Sequence, residues 1–115
     1  MVREPMGNVS PAVASALEAF RSALGRRFGD RVCELRLFGS YARGEARLES
    51  DVDLLVVVTG LTRHERREVF DLAWEVYAER LVRLSPLALS AAEWAMLRAR
   101  EYLIAQDIER EGVPL

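Results

Sequence analysis

Asp51 and Asp53 stand two residues apart at the head of the apolar run Leu54-Leu-Val-Val-Val58. In an extended strand, carboxylates at that spacing leave the same face of the sheet with Cα atoms roughly 7 Å apart. Two such anions repel, and burying either one unpaired is costly. A divalent cation such as Mg²⁺ or Mn²⁺ offsets both effects and takes oxygen ligands by preference. Asp51 and Asp53 are therefore the candidate metal ligands and the candidate catalytic carboxylates. Upstream, ten residues separate Asp51 from Ser40, enough for a short turn or helix that returns the Gly39-Ser40 amides to the carboxylates. A glycine lets the backbone approach a phosphate closely. Ser40 adds a hydroxyl donor, and Arg43 presents a planar, permanently charged fork to phosphate oxygens. Gly39, Ser40 and Arg43 are the candidate nucleotide-binding residues, gripping a triphosphate tail.

These side chains need rigid elements to hold them. Residues 1–9 show little periodicity and are expected to be a flexible N-terminus, with one domain over 10–115. Ser10-Pro11 supplies an N-cap and a first-turn proline, and Val13, Leu17, Phe20, Leu24 and Phe28 then form one stripe of a helix ended by Gly29-Asp30. Arg31 to Phe38 reads as a strand with Cys33, Leu35 and Leu37 on one face and Glu34 and Arg36 on the other. Residues 51–58 read as a central strand buried on both faces. A second long helix turns Val69, Leu72, Ala73, Val76, Tyr77 and Leu81 inward, with His64, Glu65, Arg66 and Arg67 as its solvated start. Leu81 to Leu89 is a third strand that Pro86 confines to an edge or a bulge. A capping box from Ser90 to Glu93 opens a last helix predicted to run to about Arg110, before Gly112 and Pro114. The order helix, strand, strand, helix, strand, helix specifies an α/β class with a small mixed β-sheet packed by helices. Trp74, Trp94 and Cys33 are expected in the core, and Tyr41 either covers the core or stacks on a base.

Composition excludes several alternatives. All sixteen basic residues are Arg, and without Lys neither a Walker A phosphate loop nor Schiff-base chemistry is available. One His and one Cys cannot build the usual His/Cys zinc site, and Cys33 has no intrachain disulfide partner, as expected in a reducing cytoplasm. A net charge of -2 gives no cationic field for non-specific nucleic-acid binding. No apolar run approaches the roughly 18 residues that suggest a membrane span, and residues 1–9 lack the layout of a signal peptide. A membrane partner is not expected, and homo-oligomerisation is left open.

The joint pattern is more specific than its parts. Phe38-Gly-Ser-Tyr-Ala-Arg-Gly44, followed by Ser50-Asp-Val-Asp-Leu54 and a valine-rich strand, resembles the signature of minimal nucleotidyltransferases of the DNA polymerase β superfamily. The resemblance covers about Leu37 to Val58, and the flanking elements agree only in order and length. It implies the polymerase β-like nucleotidyltransferase fold. It also implies that Gly39 and Ser40 hold the triphosphate, that Asp51 and Asp53 bind Mg²⁺, and that a hydroxyl attacks the α-phosphorus and releases pyrophosphate. The nucleotide implied is ATP, with AMP as the group transferred. Active members of that family usually carry a third carboxylate on the next strand, where this chain has no acid within Leu84–Ser90 and Ser85 is the nearest equivalent. Glu75 and Glu79 on the preceding helix could substitute, although their four-residue spacing reads as solvated helix charge.

The setting implied by the resemblance is a toxin–antitoxin pair with a helical HEPN-type protein, in which the transferase modifies its partner. The competing reading is a degenerate nucleotide-binding module that neutralises the partner by docking, and Ser85 is the feature favouring it. Nucleotidylation of a small molecule such as an antibiotic ranks last, because it needs a substrate domain that these residues do not supply.

Overall fold

The computed structural model describes residues 9–47 and 50–115. The expected flexible segment lies outside the described residues except for Val9. The elements in chain order are α1 (Pro11–Phe28), β1 (Val32–Phe38), α2 (Ser40–Arg43), β2 (Val52–Val58), α3 (Arg63–Arg80), β3 (Leu84–Ser90), α4 (Ala91–Ala99), α5 (Leu103–Glu111) and β4 (Val113–Pro114). A short 3₁₀ turn over Gly29–Arg31 joins α1 to β1. Among the described residues the strands form one sheet in the order β3-β2-β1-β4, with β1 antiparallel to β2 and β4, and β2 parallel to β3. The fold is the mixed α/β sheet with helices that the sequence specifies, and β3 lies at an edge as Pro86 requires.

Alternation along β2 divides the interior. Val52, Leu54, Val56 and Val58 pack against the stripes of α1 and α3, including Leu17, Phe20, Leu24, Val69 and Val76. Leu55 and Val57 face the opposite way, against Trp94, Ala105 and Ile108 of α4 and α5. Each long helix starts on a cap that satisfies first-turn amides. Ser10 Oγ accepts from the Val13 N–H at 3.2 Å, and Thr62 and Glu65 form a reciprocal capping box.

Several expectations need correction. The C-terminal helix is two helices, because a straight run over Ala91–Glu111 would extend roughly 30 Å at 1.5 Å per residue. That approaches the longest dimension of the molecule, 33 Å. Glu101, at φ 54°, turns the chain so that Trp94 and Ile108 reach the same cluster. Leu81 is not on the inner face of α3; it caps the helix in the left-handed region at φ 56° and is 77% exposed. Cys33 is exposed rather than core. Val32 pairs with Val58 and Glu34 with Val57, so Cys33 is the extra residue of a bulge, its Sγ 2.9 Å from Thr59 Oγ1. Trp94 is buried as expected, but Trp74 is 68% exposed. β4, beyond the last helix, had no counterpart in the expected order.

The start of α3 is also more than a solvated face. Glu65 accepts two hydrogen bonds from Arg31, at 2.7 and 2.8 Å, and Arg66 bridges to Glu93 and to the Ala88 carbonyl. The Arg31 hydrogen bonds, helped by the Thr62 amide, lower the Glu65 pKa from 4.5 to about 2. A depressed carboxylate pKa stabilises the fold above the unfolded value, and that contribution disappears as pH falls through the folded value. Glu65→Gln is expected to lower the thermal midpoint at pH 7, with a deficit that shrinks as pH drops from 4.5 toward about 2. Thermal melts of both proteins across that range check this, and a deficit independent of pH would contradict it.

Candidate functional site

The antiparallel register of β1 and β2 sets Phe38 opposite Asp53. The next residue, Gly39, leaves the strand at φ 73°, and a Cβ there would collide with Asp53 Oδ2. The loop backbone therefore lies flush against that carboxylate. Ser40 opens the single turn of α2, Arg43 ends it, and Gly44 closes it in the left-handed region at φ 72°.

Asp51 precedes β2 and is exposed, with Oδ1 3.1 Å from Arg83 Nε. Asp53 is half-buried, on the face of β2 shared with Leu55 and Val57. Burial raises its pKa first and the Asp51 charge second, while Arg43 opposes the shift. Gly39, Arg43, Asp51 and Asp53 thus converge on one site, with Ser40 beside them. Arg43 meets two carboxylates, Nε with Glu45 and Nη1 with Glu111, each at 3.1 Å. Those hydrogen bonds, that to Glu45 first, raise its pKa. Tyr41 is half-buried against the α1 and α3 core and lines a cavity of about 240 Å³ with Ser10, Val13 and Ser50.

Among the described residues no group of three or more His, Cys, Asp or Glu side chains could hold a metal ion. The two carboxylates still fit one: they repel each other, and Mg²⁺ characteristically takes one or two carboxylates and completes its shell with phosphate oxygens and water.

Parallel pairing makes Ser85 the register partner of Asp53, on a strand that carries no acid. A cavity of about 590 Å³ runs between α3 and β3 and reaches both Asp51 and Ser85. Of the acids on α3, Asp71 lines this cavity, whereas Glu75 and Glu79 do not. Phe70, Trp74 and Tyr77 line it too. The sequence carried a signal for them: at i, i+4 and i+7 they form a second stripe beside the buried one of Val69, Ala73 and Val76. His64 is exposed at the start of α3, far along the helix from this cavity.

The pattern of the nucleotidyltransferase domain matches residues 17–109 of the chain. This chain belongs to the nucleotidyltransferase domain family. A solved structure of a candidate minimal nucleotidyltransferase is 31% identical, covers 90% of this chain and 92% of that one, and superposes with a TM-score of 0.59. A candidate protein adenylyltransferase of Methanocaldococcus jannaschii is 34% identical over 83 residues, 70% of this chain and 56% of the relative. The chain spans about half the length of the curated relatives it matches. A toxin–antitoxin crystal structure with AMP-PNP shares the fold at 21% identity and a TM-score of 0.58, covering 84% of this chain and 70% of that one. Among the described residues no helix of this nucleotidyltransferase is long and apolar enough to cross a membrane.

Two glycines of the loop make a controlled comparison. Both have positive φ, but only Gly39 faces an atom in the way, since nothing lies within 4 Å of a Cβ added at Gly44. Gly44→Ala is expected to cost about 1 kcal/mol of left-handed strain. Gly39→Ala should cost roughly 2–3 kcal/mol, or displace Asp53, because strain and collision add. Urea unfolding of the two variants tests the difference, and equal costs would show that the Gly39–Asp53 approach is not a constraint.

Proposed function

We propose that residues 10–115 form a single nucleotidyltransferase domain that binds ATP with Mg²⁺ or Mn²⁺ and transfers AMP to a hydroxyl of a partner protein. The observation that carries this reading is the Gly39 backbone lying flush on Asp53, with Asp51 and Arg43 in electrostatic reach. A phosphate chain and a divalent cation each find their ligands there in one place. Adenylyl as the group, and protein as the acceptor, are supported by the name of the Methanocaldococcus relative. A toxin–antitoxin setting agrees with the solved structure that shares this fold, and the role of antitoxin to a helical HEPN-type toxin is what the motif resemblance implies. A cytoplasmic location agrees with a lone, exposed, unpaired cysteine.

In this reading Asp51 and Asp53 hold the cation, which when bound polarises the phosphate oxygens and neutralises charge on the leaving pyrophosphate. Gly39 brings the backbone close to the phosphates, and Ser40 donates its hydroxyl to them. Arg43 exchanges the carboxylates of Glu45 and Glu111 for phosphate oxygens, which suit its planar fork equally well. The acceptor oxygen forms a bond to the α-phosphorus, and the bond from that phosphorus to the bridging oxygen breaks. The electron pair leaves with pyrophosphate and the hydroxyl proton passes to water.

Ser85 beside Asp53 favours a second reading, a nucleotide-binding module without turnover that neutralises its partner by docking. General-base help contributes about 10²–10⁴-fold, so its loss predicts slow transfer rather than none while both aspartates remain.

Asp53→Asn should abolish metal-dependent ATP binding while leaving the fold intact, since it removes one of two repelling anions. Calorimetry with and without Mg²⁺ reads this, and metal-dependent binding that survives in the Asp51→Asn/Asp53→Asn double variant would place the site elsewhere. With labelled ATP and the protein encoded beside it as acceptor, wild type should add AMP slowly, Ser85→Asp faster, and Asp53→Asn not at all. Mass analysis that finds no added nucleotide with wild type or Ser85→Asp, despite confirmed ATP binding and complex formation, would favour the docking module.

A further inference from the structure

The cavity between α3 and β3 opens on the face of the sheet that α3 covers, where Ala73 packs with Val52 and Leu54. Asp53 shares the opposite face with Leu55 and Val57, so the cavity stands apart from that carboxylate. We propose that the cavity is a docking site for a different protein, which lays an arginine side chain along the aromatic wall and pairs it with Asp71. The assignment does not depend on the transfer reading.

The wall and its carboxylate define the occupant. Phe70 is 47% exposed and Trp74 68% exposed, while the Tyr77 ring lies 5.4 Å from that of Trp74. Of the two acids that line the cavity, Asp51 is engaged by Arg83 at 3.1 Å. Asp71 has no ion-pair or hydrogen-bond partner among the described residues. An aromatic face attracts a cation through its ring quadrupole, and a carboxylate beside it supplies the counter-charge. Aromatic surface left in water is also a cost to the folded state, and the methylene stem of an arginine covers it.

The chain contains the same arrangement in completed form. Arg27 and Arg31 lie over the Phe28 ring, at 4.8 and 5.7 Å from its centroid. Both guanidiniums are held by carboxylates, Arg27 by Glu68 and Arg31 by Glu65. Around Phe70 and Trp74 the rings and the acid are present, but among the described residues no guanidinium lies over either ring. Arginine fits better than lysine, because its planar group stacks on a ring while its fork meets a carboxylate.

Size and charge set aside the other occupants. A groove of about 590 Å³ is larger than a lone small cation and matches a side chain with its flanking backbone. Asp51 and Asp71 repel a phosphodiester chain or an acidic peptide. A second copy docked about a two-fold axis sets this patch against itself. Such a contact opposes like carboxylates, and the arginine it brings, Arg83, is already engaged by Asp51.

The test uses the full chain and three capped hexapeptides with leucine flanks that differ at one central residue: arginine, its uncharged isostere citrulline, or glutamate. Binding is read from tryptophan fluorescence, and Trp74→Phe isolates the Trp74 signal by leaving only the buried Trp94. The arginine peptide is expected to give a saturable Trp74 response with a Kd about tenfold below that of the citrulline peptide. The glutamate peptide should give none. Asp71→Asn should erase the advantage of arginine over citrulline while leaving citrulline binding unchanged, and Trp74→Ala, read by calorimetry, should weaken both. Circular dichroism confirms that these variants, both at exposed positions, are folded. Equal affinity for the arginine and citrulline peptides, equal weakening of both by Asp71→Asn, or a preference for glutamate would each overturn the assignment. So would the absence of any response up to about 10 mM peptide, the weak end of specific recognition. A concentration-dependent dimer in sedimentation that Trp74→Ala dissociates would show that a second copy covers the surface, and would overturn the assignment to a different protein.

Discussion

The closeness of the Gly39 backbone to the Asp53 carboxylate is the constraint on which the rest of the site depends. It follows from register: once Phe38 pairs with Asp53, the chain leaving β1 has to cross directly over that side chain. Only a residue without Cβ can do so, and the positive φ of Gly39 would strain any other residue even with space available. The register is in turn held by burial on both faces of β2, where Leu54 to Val58 are almost wholly inaccessible to water. Slipping the pairing by one residue would exchange the two apolar sets and carry Asp53 toward the α1 and α3 core. The hydrophobic pattern of β2 therefore fixes the site geometry as well as the fold.

Carboxylates already surround the cations near that contact. Arg43 lies between Glu45 and Glu111, and Arg83 against Asp51, so both cations are already oriented by carboxylates. These are partly exposed pairs, and each contributes little to stability on its own. In the proposed reading, replacing the carboxylates on Arg43 by phosphate oxygens leaves that guanidinium with equivalent acceptors, so nucleotide entry does not strip a bare cation of water. Glu111 ends α5 just before β4, which pairs with β1. The C-terminal elements thereby bear on the Gly39–Arg43 turn through one side chain.

What the sequence revealed follows the strength of local patterning. The Ser10 cap, the α1 stripe and the edge position of β3 were each legible because a single local rule governs them. Cys33 was misread because a bulge inserts a residue that alternation cannot register. Trp74 was misread because its stripe adjoins the buried one, and on a helix 100° of rotation separates core from solvent. The break at Glu101 uses a left-handed non-glycine residue, so no glycine or proline announces it. β4 spans only Val113–Pro114 and exists because β1 offers it an edge, a tertiary fact with no local signature. Glu111 and Asp71 were overlooked because each is an ordinary helix acid until the fold brings it beside Arg43 or the α3–β3 cavity.

Magnitudes decide how much the serine at the position beside Asp53 should matter. A general base is worth about 10²–10⁴-fold. Holding two reactants in line reaches effective concentrations on the order of 10⁵–10⁸ M. In the proposed transfer reading positioning is therefore the larger contribution, and it depends on the Gly39 approach and the two aspartates. On that reading a serine in place of the base slows the chemical step without dismantling the geometry, so the loss falls on rate rather than on nucleotide binding.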